Sequence, residues 1–178
     1  LVRSPHPGVA VDAIEALGSK HIDGAVPALT EVLACDDELL FKGALNALSW
    51  RRALNDDTIV RSLLAALERD CCRYNAATSL EKIDNPAVAD GLLEILRNGS
   101  PEAASQATFS LGWINDPRAS EAILSARAAG QVIDMSSFIM AMGDLKEPRA
   151  IPELVPILNI YKYDQDMRSR AARALFNI

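Results

Sequence analysis

Histidine and cysteine are scarce in this chain, two and three among 178 residues, which removes most of the side chains used for acid–base chemistry and transition-metal binding. His6 precedes a proline and His21 falls in an inter-helix turn, so both read as solvated. There is no Cys-x-x-Cys, no His-Glu-x-x-His, no phosphate-binding glycine loop and no nucleophile elbow. The chain is therefore read as a non-enzyme, with no catalytic residue, no metal and no cofactor. Cysteines without a specialised spacing point to a reducing compartment, and the cytoplasm is the expected location.

Other absences narrow the field further. Aromatic residues make up only 5% of the sequence, no β-branched run alternates with period two, and no stretch resembles a signal peptide or a transmembrane span. Positive charge is short: 18 Lys and Arg stand against 24 Asp and Glu, a net charge of −6. Arg170 and Arg173 share a helix face, but the equivalent positions elsewhere hold Gly43, Asn46, Asn75, Thr78, Gln106 and Phe109. A phosphate-tracking protein needs a basic stripe, so neither a nucleic acid nor a membrane is expected as partner.

What is present is a repeat. Ala16-Leu17-Gly18, Ala47-Leu48-Ser49, Ser79-Leu80-Glu81, Ser110-Leu111-Gly112, Ala141-Met142-Gly143 and Ala174-Leu175-Phe176 recur with central residues 31, 32, 31, 31 and 33 positions apart. In a second register Asp23, Asp57, Pro86, Pro117 and Pro148 precede amphipathic segments. Six residues on stand Leu29, Leu63, Leu92, Ile123 and Leu154, and ten residues on Leu33, Leu67, Leu96, Arg127 and Leu158. Each unit reads as helix, short turn, helix, and a unit this short buries its apolar face only by stacking on its neighbours. The fold class predicted is all-α, a right-handed α-solenoid (α-α superhelix) of about five helix-turn-helix repeats.

The helices are expected at 7–19, 24–34, 37–52, 56–69, 71–83, 86–97, 100–114, 117–129, 132–145, 148–160 and 165–178. Asn85-Pro86 and Asp116-Pro117 supply a cap acceptor followed by a proline at the first helical position. In Asn98-Gly99-Ser100-Pro101-Glu102 the glycine is expected to turn left-handed, the serine to cap and the acid to complement the helix dipole. The same dipole argument accounts for Asp36-Asp37-Glu38. Cys72 shares an inward column with Leu40 and Met167 and is expected as a small core hydrophobe, while Cys71 faces outward at a helix start, where a thiol pKa can be lowered.

Asn115-Asp116-Pro117-Arg118-Ala119, Lys146-Glu147-Pro148-Arg149-Ala150-Ile151-Pro152-Glu153-Leu154 and Met167-Arg168-Ser169-Arg170-Ala171-Ala172-Arg173-Ala174-Leu175 resemble HEAT-like repeats of the phycobilisome-lyase type over nearly the whole chain. The resemblance implies an armadillo-like fold without choosing among the scaffolds, adaptors, chromophore-handling proteins and few enzymes of the family. Hydroxylases of this type carry His-Glu pairs, and neither histidine here is followed by glutamate. Residues 1–178 are read as a single HEAT-like repeat domain and as a fragment of a longer chain. The reasons are a missing initiator methionine, one helix before the first full pair, and an end inside a helix at Ile178.

The unit at 115–145 departs from the pattern, with Arg127 for leucine, Asp134 at an inward column and Phe138-Ile139 where other units have small residues. Either the packing there reorients, or Arg127 reaches an acid or solvent.

Positions five and two residues before the repeat leucine, and two after it, lie opposite the buried stripe and should line a groove. Asp12, Glu15, Asp144, Arg173 and Asn177 fit a solvated face. Trp50, Phe109, Trp113 and Met140 do not, and an apolar cluster on a polar groove marks a partner site. The leading expectation is a non-catalytic protein–protein interaction scaffold holding a protein or peptide in its concave groove. Trp50, Phe109, Trp113 and Met140 would be its anchors, and Asn75, Lys82, Gln106 and Arg170 would hydrogen-bond around them. The alternative, which the resemblance implies, is a bilin-handling, lyase-like subunit with Arg170 and Arg173 on the propionates. Oligomeric state is left open.

Overall fold

The computed structural model describes residues 7–19, 24–50, 55–159 and 163–178, with the side chains of Pro7, Ser19 and Trp50 outside the description. His6 and His21 also lie outside it. The described residues form eleven α-helices and no strand. These are α1 (Pro7–Ser19), α2 (Ala25–Val32), α3 (Glu38–Trp50), α4 (Asp57–Ala66), α5 (Arg73–Leu80), α6 (Pro86–Asn98), α7 (Pro101–Ile114), α8 (Ala119–Ala128), α9 (Met135–Asp144), α10 (Ile151–Asn159) and α11 (Gln165–Asn177). A 3-10 turn, Pro148–Ala150, leads into α10.

Short polar side chains set where helices begin. Asp37, Asp56, Ser100 and Asp164 accept from the backbone N–H of Leu40, Thr58, Ala103 and Met167 at 3.0, 2.8, 3.2 and 2.8 Å, satisfying donors that a helix start leaves open. Asn85 Oδ1 accepts from Ala87 at 2.9 Å, with Pro86 opening α6 as its ring geometry favours. Four expectations need correction here. Asp134 does not face inward; it is exposed and caps α9, accepting from Ser136 and Ser137. Pro117 lies in a turn before α8, because Asp116 binds the Arg118 N–H and the helix starts only at Ala119. Gly99 is not left-handed; that conformation falls to Gly24, Gly130, Asn115 and Lys146. Cys71 and Cys72 precede α5, so Cys71 is half-buried in a turn instead of facing outward at a helix start.

The chain divides into two compact units, residues 1–88 and 89–178. In the first, α1 and α2 pack on α3, and α4 packs on α5 and touches α2. In the second, α7 packs on α9, α9 on α11, α10 on α11 and α8 on α7. Leu29, Leu63, Leu92, Ile123 and Leu154 are fully buried, as are Leu48, Leu80, Leu111 and Met142 of the repeated triplet. Leu33, Leu67 and Leu96 are buried too, but Leu158 is 37% exposed. That column therefore fails at its last leucine as well as at Arg127, because α10 packs on α11 and turns Ile151, Val155 and Leu158 outward.

Arg127 is half-buried, paired with Glu153 and seated 4.1 Å over the ring of fully buried Phe138. Cation–π attraction and the ion pair together hold an arginine where the other units use leucine.

Two glycines set how closely second helices approach. A Cβ on Gly112 would meet the Cα of Ala141 at 2.6 Å, and one on Gly143 would meet that of Ala174 at 2.8 Å. Successive helix pairs are also tied by side chains reaching back 28 residues. Asn85 Nδ2 donates to Asp57 at 2.9 Å, Arg118 Nη1 to Asp90 at 2.7 Å and Arg149 Nη1 to Glu121 at 2.7 Å.

Candidate functional site

Within residues 89–178, the outward faces of α7, α9 and α11 enclose a cleft of about 410 Å³. α7 contributes Phe109 and Trp113, α9 contributes Met140, Gly143 and Asp144, and α11 contributes Asp166, Arg170, Arg173 and Asn177. The helical period delivers them: residues three and four apart on one helix share a face, and the opposite face carries buried Leu111, Met142 and Ala171. The close approach at Gly143 and Ala174 brings α9 and α11 together along the cleft.

Trp113 is 64% exposed, a large apolar surface left open on a polar face. Phe109 and Met140 are half-buried beside the same cleft. Arg170 is committed: Nε donates to Asp166 at 2.8 Å, and Nη1 to Ser136 Oγ at 3.0 Å and Met140 Sδ at 3.1 Å. Met140 is thus an acceptor for Arg170 as well as an apolar wall. Asp144 is the last residue of α9, and burial alone pushes its carboxyl above the ordinary range.

Of the eight residues expected at a partner site, Phe109, Trp113, Met140 and Arg170 share this cleft. Gln106 is half-buried on α7 and does not line it. Asn75 and Lys82 line a separate cleft of about 330 Å³ in residues 1–88, between α3 and α5, with Lys42, Asn46, Ser49 and Thr78. The Trp50 side chain lies outside the described residues. Asp166 and Gly143 were not read as site residues from sequence. Gly143 follows the repeat methionine and so was open to a column reading, whereas Asp166 enters only by holding Arg170.

A larger cleft, about 870 Å³, lies on the first helices of the second unit and was not read from sequence. Its lining includes Asp90, Arg97, Arg118, Glu121 and Gln131. Arg118 is held there by Asp90 and by Asp116, whose carboxyl it keeps below the ordinary range. Gln131 Nε2 donates to the Gly99 carbonyl at 3.1 Å.

The cysteines form a packed group. Cys72 Sγ lies 3.1 Å from Cys71 Sγ and 3.9 Å from the Cys35 carbonyl. Cys72 is fully buried, and burial, then its hydrogen bond with Cys71, pushes its thiol up to about 12. Such a thiol stays protonated and packs as a small hydrophobe. In the acidic run Asp37 caps α3, Asp36 pairs with Arg69 at 3.6 Å and Glu38 with Lys42 at 2.8 Å. Among the described residues no group of three or more His, Cys, Asp or Glu could hold a metal ion, and no helix is long and apolar enough to cross a membrane.

No protein-family model matches the chain, and no curated protein is significantly similar to it.

Proposed function

We propose that the chain is a right-handed α-solenoid of HEAT-like helix pairs that works as a non-catalytic protein–protein interaction scaffold in the cytoplasm. Its partner is a protein or peptide segment seated in the cleft of α7, α9 and α11, with neither nucleic acid nor membrane as ligand. The recurrent burial of the triplet and first-helix leucines supports the repeat reading. The observation that carries the function is Trp113, an indole 64% exposed beside Phe109 and Met140 in one cleft. Exposed aromatic side chains in a concave, partly polar setting are the usual anchors of a bound segment.

A bilin would need arginines for its propionates, and Arg170 is already engaged with Asp166, Ser136 and Met140. That leaves Arg173 and makes the chromophore reading the weaker one; a red-shifted absorbance on adding bilin would restore it.

The test is selection of a displayed library of random dodecapeptides on the full chain. Enriched peptides should lose binding to the Phe109→Ala/Trp113→Ala variant while that variant keeps its Tm. Peptides that bind the variant as well as the parent would place the docking surface elsewhere.

A further inference from the structure

All three cysteines of the chain meet where two connections touch. Cys35 lies between α2 and α3, and Cys71 and Cys72 lie between α4 and α5. Arg69 holds the contact: its guanidinium donates to the carbonyls of Leu33 and Cys35, pairs with Asp36 and sits 5.5 Å over the Phe41 ring. Cys72 Sγ adds a weak bond to the same Cys35 carbonyl at 3.9 Å. The start of α5 depends on this stretch too. The Arg69 carbonyl accepts from the N–H of Cys72 and of Arg73 at 3.2 and 2.8 Å, and the Cys72 carbonyl accepts from Ala76 at 2.9 Å. A shift of Cys72 is therefore passed both to Arg69 and to the first turn of α5.

The two neighbouring thiols are placed for different tasks. Adjacent side chains diverge in a strand and do not face each other on a helix, but the turn before α5 sets the Cys71 and Cys72 sulfurs 3.1 Å apart. That is about 1 Å more than a disulfide bond. Cys71 is half-buried and open to a small reagent, whereas Cys72 is fully buried and kept protonated by that burial. An oxidant arriving from solvent meets Cys71 first, and Cys72 waits behind it.

We propose that Cys71 and Cys72 form a reversible dithiol switch that takes a hydroperoxide and, once closed as a disulfide, loosens the contact between the two connections. The Cys71 thiolate attacks the peroxide, the O–O bond breaks, and Cys71 becomes a sulfenic acid while the other oxygen leaves as an alcohol, or as water from hydrogen peroxide. The Cys72 sulfur then displaces the hydroxyl, which leaves as water with the Cys72 proton. The two sulfurs together give up the two electrons that the O–O bond takes. Proximity offsets the weak nucleophilicity of a protonated thiol. Joining adjacent cysteines closes the smallest ring a disulfide can make in a chain, and such a strained bond opens readily to free thiols, as a switch requires. Closing it draws Cys72 Sγ toward Cys71 and away from the Cys35 carbonyl.

The test treats the full chain with hydrogen peroxide, quenches it in acid, alkylates the remaining thiols in denaturant and maps the peptides by mass. The expected product carries a Cys71–Cys72 disulfide with Cys35 alkylated, and dithiothreitol restores three alkylated cysteines. Its Tm should fall by about 2 °C or more relative to the reduced chain and recover on reduction. Cys35→Ala should form the same crosslink. Cys72→Ala should stop at a sulfenic acid on Cys71, captured by dimedone, and its own Tm before treatment shows whether it is folded. Three results overturn the proposal: Cys71 driven to sulfinic acid with Cys72 still alkylated, a disulfide that includes Cys35, or a Cys71–Cys72 crosslink that leaves Tm unchanged. Thiols that ignore peroxide altogether also overturn it.

Discussion

Gly112 and Ala141 meet with no room between them: a Cβ built on the glycine would stand 2.6 Å from the alanine Cα. The obstacle is backbone, which cannot swing aside as a long side chain would. Gly112→Ala gains about 1 kcal/mol of helix propensity and loses about 1–3 kcal/mol to overpacking. The expected net result is a less stable protein, read as a lower urea midpoint with unchanged slope. A raised midpoint would show that α7 and α9 separate without cost.

Phe138 tests the unit that departs from the repeat. It is fully buried beneath Arg127, so Phe138→Ala should cost about 3–5 kcal/mol, within the usual range for removing a buried ring. Equilibrium unfolding measures this directly. A loss below about 1 kcal/mol would mean that the surroundings collapse into the space left behind.

Leu111 and Trp113 lie two residues apart on opposite faces of α7, one fully buried and one exposed. Leu111→Ala should destabilise the fold by about 2–5 kcal/mol. Trp113→Ala should change stability by less than about 0.5 kcal/mol, the surface norm, while reducing binding of the selected peptides. Equal losses of stability would make Trp113 a packing residue.

Acid sensitivity should trace to Glu147. Its carboxylate accepts from the Arg149 guanidinium at 2.8 Å and from the Arg149 backbone N–H at 3.0 Å, which hold it at about 2 against an ordinary 4.5. A carboxyl more acidic in the folded than in the unfolded chain adds stability that is fully present above the unfolded value. That stability drains away as pH falls through 4.5 toward 2. In thermal melts across that window, Glu147→Gln should show a shallower decline of Tm than the parent. Parallel declines would remove Glu147 as a source of acid lability.

Helix positions were readable because several signals coincide at each one: a cap, a proline, a column of leucines. The helix starts that moved show what columns miss. α7 begins at Pro101, ten residues before Leu111, whereas α9 begins at Met135, seven before Met142. Asp134 therefore occupies a column that is helical in one repeat and a cap in the next. Helix length, set by where a cap closes, is not encoded in the spacing of leucines. The faces of Phe109 and Trp113 followed from the 3.6-residue period alone. The engagement of Arg170 did not, since Asp166, Ser136 and Met140 come together only once α9 and α11 pack. The back-reaching contacts of Arg118 and Arg149 likewise join residues whose relation across 28 positions has no local signature.

Those back-reaching contacts bear on how such a chain can change length by duplication or loss. Each arginine stands at the entry to one helix pair and finds its acid on the first helix of the pair before, Asp90 for Arg118 and Glu121 for Arg149. Asp90 and Glu121 lie 31 residues apart, as do Arg118 and Arg149. Deleting 91–121 would thus set Arg149 the same 28 positions beyond Asp90. A heritable gain or loss of one whole pair leaves every surviving arginine facing an acid. A gain or loss of any other size turns the arginine away from its partner, because each residue added to a helix rotates the rest of that helix by about 100°.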